Sequence, residues 1–284
     1  MISTEIRTAS AEPFFLKSGI GQRFCLYHRP AGVCRGAILY IHPFGEELNR
    51  SRRMAVLQAR QLAAMGYGVL QLDLYGCGDS SGDFGEARWD LWKQDIAVGT
   101  DWLCKQLDQP ITLWGLRLGA TLALDYARTA QHDIAGIILW QPVLSGSGYL
   151  TQFLRLRTAS AMLADNASAQ TGTSALREQL RCGETLEIGG YHLAPELAAA
   201  LDALDTVESL APDCKVQWME AISSPNQSLP PAVARTMAHW QNQGTDLTVH
   251  AVHCPPFWTT AEVTVCQGWL DATAASIREP IDEY

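Results

Sequence analysis

The chain has 284 residues, 47% of them apolar, and a formal charge of −9, so it can bury a sizeable core as one large α/β domain or a domain with an insertion. The acidic balance argues against nucleic acid or anionic lipid as the main partner, and no run of about 18 uncharged apolar residues reads as a membrane span. Acids and polar residues stand in the first 20 positions, where a secretory leader needs an apolar run, so a cytoplasmic location is expected.

In chain order, "RFCLYH" (23–28) alternates apolar and polar residues as an edge strand does, and Pro30, Gly32 and Gly36 mark a turn. "AILYIH" (37–42) is nearly continuous apolar sequence, expected of a strand covered on both faces. Residues 51–65 read as a helix, with Met54, Leu57, Leu62 and Met65 near one face and Gly66 ending it. "GVLQLDL" (68–74) is the next strand, and Trp89, Trp92, Ile96 and Leu103 share a face of a helix that stops before Pro110. "ITLWG" is a third central strand, followed by a helix over 119–129, and "IAGIILWQPV" (134–143) is a fourth. The next stretch is rich in Ala, Ser, Thr and Gly, with a helical patch at Leu197, Leu201 and Leu204 and a strand-like "TLEIGGY". Strand "KVQWMEAI" (215–222), a helix over 231–243, strand "LTVHAVH" (247–253) and a helix over 261–277 complete the pattern.

The alternation predicts a mostly parallel central sheet flanked by helices. Its core spans 1–144 and 213–284, and residues 145–212 form a helical lid over the carboxyl edge, where ligands of such folds bind. Tyr191 and His192, after two glycines, read as the entry to a lid helix. The cysteines at 25, 34, 77, 104, 182, 214, 254 and 266 contain no CxxC pair, so neither a metal site nor a cofactor is expected and they read as small buried residues.

Three motifs carry chemistry. "YIHPFGEE" places a loop after a strand, "LDLYGCGDSSG" follows the next strand, and "WGLRLGA" sets Gly115 and Gly119 around Arg117 at a strand-to-helix turn. Together they resemble the α/β-hydrolase superfamily, in which the first loop helps to hold an oxyanion and the third is the nucleophile elbow. Gly78–Gly82 also satisfies the literal elbow pattern around Ser80, but two glycines separate it from its strand and acids follow it, so Ser80 reads as a turn residue.

Arginine has no lone pair to attack with and stays protonated at every accessible pH. The other triad places look empty as well. Ser223, Ser224, Pro225 and Asn226 follow the late strand where the resemblance implies an acid, with Glu220 inside the strand. Pro256, Phe257 or Trp258 stands where it implies a histidine, with His253 a few residues early.

"HPFGEE", "GLRLGA", "QFLRLR", "GETLEIGGY" and "PPFWTTAEV" further resemble the exosortase A system-associated hydrolase 2 family. That resemblance implies a bacterial setting near exosortase and exopolysaccharide export, and a protein partner from the same locus.

Three readings of position 117 stay open. Its guanidinium can bind a small anionic ligand with the backbone N–H groups of Leu118 and Phe44, Arg155 and Arg157 closing from the lid. It can pair internally with Glu46 or Glu47 and close an abandoned site. Or the chain is an ester or thioester hydrolase using Ser80, Cys77, or a water activated by His253 or Glu47.

Overall fold

A computed structural model describes residues 11–163, 172–204 and 206–278. Residues 1–10, 164–171, 205 and 279–284, on which parts of the expected core (1–144 and 213–284) and of the expected lid (145–212) fall, lie outside the described residues.

Eight strands form one sheet in the order β1-β2-β4-β3-β5-β6-β9-β10. They are β1 (Ala11–Lys17), β2 (Gln22–His28), β3 (Gly36–Ile41), β4 (Tyr67–Leu72), β5 (Ile111–Leu116), β6 (Ile134–Trp140), β9 (Lys215–Ile222) and β10 (Leu247–His253). β2 pairs antiparallel with both β1 and β4, and the remaining neighbours run parallel. The sequence reading missed β1, whose "AEPFFLK" breaks alternation with two adjacent phenylalanines. It therefore took residues 23–28 as the sheet edge, whereas β1 covers them.

Side chains alternate across the central strands, as a period of two requires. Ala37, Leu39 and Ile41 of β3 face one core with Leu113 and Leu139, while Ile38 and Tyr40 face a second with Trp114 and Trp140. The first core is covered by α2 (Trp89–Leu107), α3 (Leu118–Ala127) and α7 (Pro231–Asn242), and the second by α1 (Glu46–Ala64) and α8 (Gln267–Ser276). Burial on both faces explains why these strands read as apolar runs.

Two helix boundaries differ from the sequence reading. α1 starts at Glu46 rather than residue 51, directly after Gly45, whose φ of 56° turns the chain into the helix. α8 starts at Gln267 rather than 261, because residues 261–266 continue the loop after β10. Between β6 and β9 lie α4 (Gly146–Leu163), α5 (Thr173–Arg181), the hairpin β7 (Leu186–Ile188) with β8 (Tyr191–Leu193), and α6 (Pro195–Ala203). Gly189 and Gly190 make the hairpin turn with φ of 58° and 86°, values open to glycine. Leu150, Phe153 and Leu154 of α4 and Leu197 and Leu201 of α6 are buried in the first core, so the segment between β6 and β9 packs continuously with the sheet. No described helix is long and apolar enough to cross a membrane.

Candidate functional site

Arg117 sits between β5 and α3 with φ 56° and ψ −120°. Such a backbone costs a non-glycine residue about 1–3 kcal/mol and persists where its surroundings over-determine it. Here the Arg117 N–H donates to the Trp140 carbonyl at 2.9 Å, and its carbonyl accepts from Ala120 N–H at 3.1 Å and Val143 N–H at 3.3 Å. Both flanking glycines are needed for close approach. A Cβ on Gly115 would lie 2.4 Å from Ala120 Cα, and one on Gly119 2.4 Å from the Ile41 and His42 carbonyl oxygens. The tight turn is therefore intact, with a guanidinium at its tip.

That guanidinium has an internal partner. Arg117 Nε donates to Glu47 Oε1 at 3.3 Å, both side chains being 16% exposed. Its Nη1 reaches the Gln141 carbonyl at 3.4 Å, and its Cζ lies over the rings of Trp258 (5.6 Å) and Tyr149 (5.9 Å). Tyr149 Oη donates to Glu47 Oε2 at 3.2 Å. Burial pushes the Glu47 carboxyl above its usual 4.5, against the opposing pull of Arg117 and the Tyr149 hydrogen bond. The early start of α1 puts Glu47 in the helix's first turn, beside the elbow. Glu46 points elsewhere, accepting from Tyr191 Oη at 3.2 Å and Asn49 Nδ2 at 3.0 Å, so consecutive glutamates each bond a tyrosine of the insertion.

The loop before α1 is clamped by His42. Its Nδ1–H donates to the Pro43 carbonyl at 2.7 Å while Nε2 accepts the Leu74 N–H at 3.0 Å. This needs the neutral imidazole, and burial lowers the His42 pKa accordingly. The Phe44 ring is buried among Phe84, Trp92, Tyr149 and Phe153, and the Leu118 side chain is also buried. What either residue can offer a ligand is a backbone N–H. That of Leu118, the first residue of α3, has no carbonyl one turn earlier in its helix to accept it.

A cleft of about 330 Å³ opens beside the elbow, lined among others by Arg117, Gln141, Tyr149, Gln152, Glu220 and Val233. Glu220 in β9 is buried, accepting from Gln141 Nε2 at 2.8 Å and Trp218 Nε1 at 2.9 Å, and burial raises its pKa above 4.5. Gln141 holds this corner with φ 45° and with its Oε1 accepting the Ala221 N–H at 2.7 Å.

The structure brings Arg117, Glu47 and Glu220 together with Tyr149, Gln141 and Trp258, and sets the other candidates elsewhere. Ser80 Oγ donates to the Asp73 carbonyl and accepts the Phe24 N–H at 2.9 Å, so its hydroxyl ties two strand ends together. Cys77 is buried, and burial raises its pKa far above the usual thiol value of 9.0. His253 is exposed, with Nε2 at 3.1 Å from the Ser223 carbonyl at the end of the last strand. Arg155 is exposed and Arg157 half-buried on α4, and neither lines the cleft, whose α4 wall is Gly148, Tyr149 and Gln152. His192 is exposed on β8.

Sequence reasoning missed Tyr149 and Gln141. Gln141 left a signal, a polar residue ending an apolar strand before Pro142; Tyr149 left none. Among the described residues, no group of three or more His, Cys, Asp or Glu is placed to hold a metal.

Solved structures share this architecture. A soluble variant of monoglyceride lipase from Saccharomyces cerevisiae, in complex with a substrate analog, superposes with TM-score 0.62 at 16% identity, covering 96% of each chain. Est1E from Butyrivibrio proteoclasticus, with bound ferulic acid, gives 0.59 at 16% identity over 93% of this chain and 95% of that one. Proline iminopeptidase from Mycobacterium smegmatis gives 0.56 at 14% identity over 93% and 97%. At such identities the likeness is one of fold. No curated protein sequence matches the chain. The model of one family, Hydrolase_4, described as serine aminopeptidase S33, matches residues 32–187, more than half of the chain. The chain therefore belongs to that family, within the α/β-hydrolase fold, with an arginine at the tip of its elbow.

Proposed function

We propose that this chain is a non-hydrolytic member of its family, a binding protein built on a hydrolase frame. One observation carries the reading: Arg117 occupies the strained elbow position while its guanidinium is held by Glu47. A guanidinium forms no acyl intermediate. The neighbouring places agree, since Trp258 lies against the guanidinium and the loop after β9 supplies Ser223 to Asn226 rather than an acid. Glu46 and Glu47, each bonded to a tyrosine of the insertion, favour residues 145–212 acting as a lid fastened to the start of α1.

The cleft then serves recognition, and the class of ligand that matches Arg117 is a small organic anion. Glu47 takes one of the five guanidinium N–H donors and the Gln141 carbonyl another, which leaves donors for a ligand in the cleft that Arg117 lines. Glu47 and Glu220 oppose an anion when ionised, but both hold their protons more tightly than free carboxyls do. Binding is accordingly strongest at mildly acidic pH. The sequence resemblance adds a setting, an exosortase and exopolysaccharide locus supplying a protein partner.

Turnover of p-nitrophenyl esters and thioesters, together with melting in a panel of carboxylates and phosphates, tests the proposal. The expected result is no turnover and a melting shift that Arg117→Leu removes. Ester turnover abolished by Glu47→Gln would replace the proposal with water activation by that carboxylate. No melting shift with any anion would remove the ligand class, and no association with proteins encoded at such a locus would remove the setting.

A further inference from the structure

Glu220 is a buried acid held by neutral donors. It lies two residues after Trp218 on β9, on the same face of the strand, and is 2% exposed. Its Oε1 accepts from Gln141 Nε2 at 2.8 Å and its Oε2 from Trp218 Nε1 at 2.9 Å, and among the described residues no cation forms an ion pair with it. A carboxylate has about four acceptor sites, so two remain open where Glu220 lines the cleft. Gln141 sets this acid and Arg117 in one frame. Its N–H donates to the Met219 carbonyl at 2.9 Å, its Oε1 accepts the Ala221 N–H at 2.7 Å, and its carbonyl accepts from Arg117 Nη1 at 3.4 Å. Among the described residues three non-glycines adopt a left-handed φ. Asp108 is an ordinary helix end, after α2; the other two are Arg117 and Gln141, and both line the cleft.

We propose, resting on the reading that Arg117 binds an anion, that the cleft selects a small hydroxy-carboxylic acid, with its carboxylate on Arg117, its hydroxyl on Glu220, and Gln141 fixing the span between them. Val143, Leu144 and Val233 in the cleft wall suit a short carbon chain, and about 330 Å³ holds a molecule of several carbons. The chemistry of Glu220 decides the second ligand group. Ionised, Glu220 accepts a ligand O–H. Protonated, it donates its own O–H to the same ligand oxygen, because N–H donors already occupy one site on each carboxyl oxygen. A hydroxyl therefore suits both states. A second carboxylate is repelled once Glu220 ionises, and an ammonium loses its charge partner once Glu220 is protonated, the form that burial favours.

The experiment is calorimetric titration of the whole protein with butanoate, β-hydroxybutanoate, γ-hydroxybutanoate, succinate and γ-aminobutanoate. The expected result is that one of the two hydroxy acids binds about tenfold tighter than butanoate, the effect of one net hydrogen bond. That preference should hold on both sides of the Glu220 titration, and Glu220→Leu should reduce it to less than about twofold. Equal affinity for butanoate and both hydroxy acids overturns the inference and leaves the anion reading standing. Tightest binding of succinate or of γ-aminobutanoate does the same. If none of the five binds while a phosphate or another carboxylate raises the melting point, this inference alone falls; if no anion acts at all, both fall. The ligand series is read on the parent protein, so poor folding of the leucine variant leaves the test intact.

Discussion

Replacing Glu47 by leucine isolates the energetics of the elbow. At 3.3 Å the Arg117–Glu47 attraction is worth about 5 kcal/mol for an effective dielectric of 20. Desolvation nevertheless outweighs that attraction at Glu47, because its pKa is raised rather than lowered. As a unit the pair therefore adds little net stability, and the cost lies in breaking it. Glu47→Leu strands a guanidinium that is 16% exposed. Stranding a fully buried charge costs about 3–5 kcal/mol, and partial access to the cleft lowers the expectation to about 2–3 kcal/mol. Arg117→Leu costs less, about 1 kcal/mol, because the remaining carboxyl can hold its proton. The double variant should lie within about 1 kcal/mol of the parent, which gives a coupling of about 2 kcal/mol. Urea unfolding with an unchanged m-value is the assay. Additivity of the two substitutions to within about 0.5 kcal/mol would refute the reasoning, since it would mean that the two charges do not depend on each other.

Restoring the elbow with Arg117→Ser should leave p-nitrophenyl ester hydrolysis at background, as no histidine is among the described residues lining the cleft to take the hydroxyl proton; turnover well above that level would contradict this. Ser80→Ala should cost about 1–3 kcal/mol in urea unfolding by orphaning the Phe24 N–H, with ligand-induced melting shifts unchanged. Arg23→Met should cost about 3–5 kcal/mol by the same assay, because it strands Asp95, which is wholly buried and bonded by Arg23 Nε at 2.6 Å. Glu220 binds its proton more tightly folded than unfolded, so its contribution to stability is fully present below pH 4.5 and is lost as pH rises through the raised folded value. Glu220→Gln should flatten that part of the urea-midpoint profile, and an unchanged slope would count against it.

The parallel strands were legible because burial on both faces writes them as apolar runs bounded by Gly and Pro, as in "AILYIH" and "IAGIILW". β1 was not, because an outer strand with one partner carries a weaker pattern, and its Phe15 is 55% exposed. The start of α1 was hidden by its charge-rich first turn, Glu46–Glu47–Leu48–Asn49–Arg50, which carries no apolar stripe. At the site, the position of Arg117 was readable from Gly115 and Gly119, since both close approaches forbid a side chain. Its partner was narrowed to two adjacent glutamates, and the register of α1 selected Glu47. The place of Tyr149 depends on how a distant segment returns to the sheet, and local sequence carries no record of that.

Intact-mass analysis after incubation with a fluorophosphonate and with p-nitrophenyl acetate tests most directly the claim that no nucleophile stands at the elbow. The account predicts an unmodified mass with both reagents, for the parent and for Arg117→Ser. A stoichiometric adduct on any residue lining the cleft of the parent protein would contradict it.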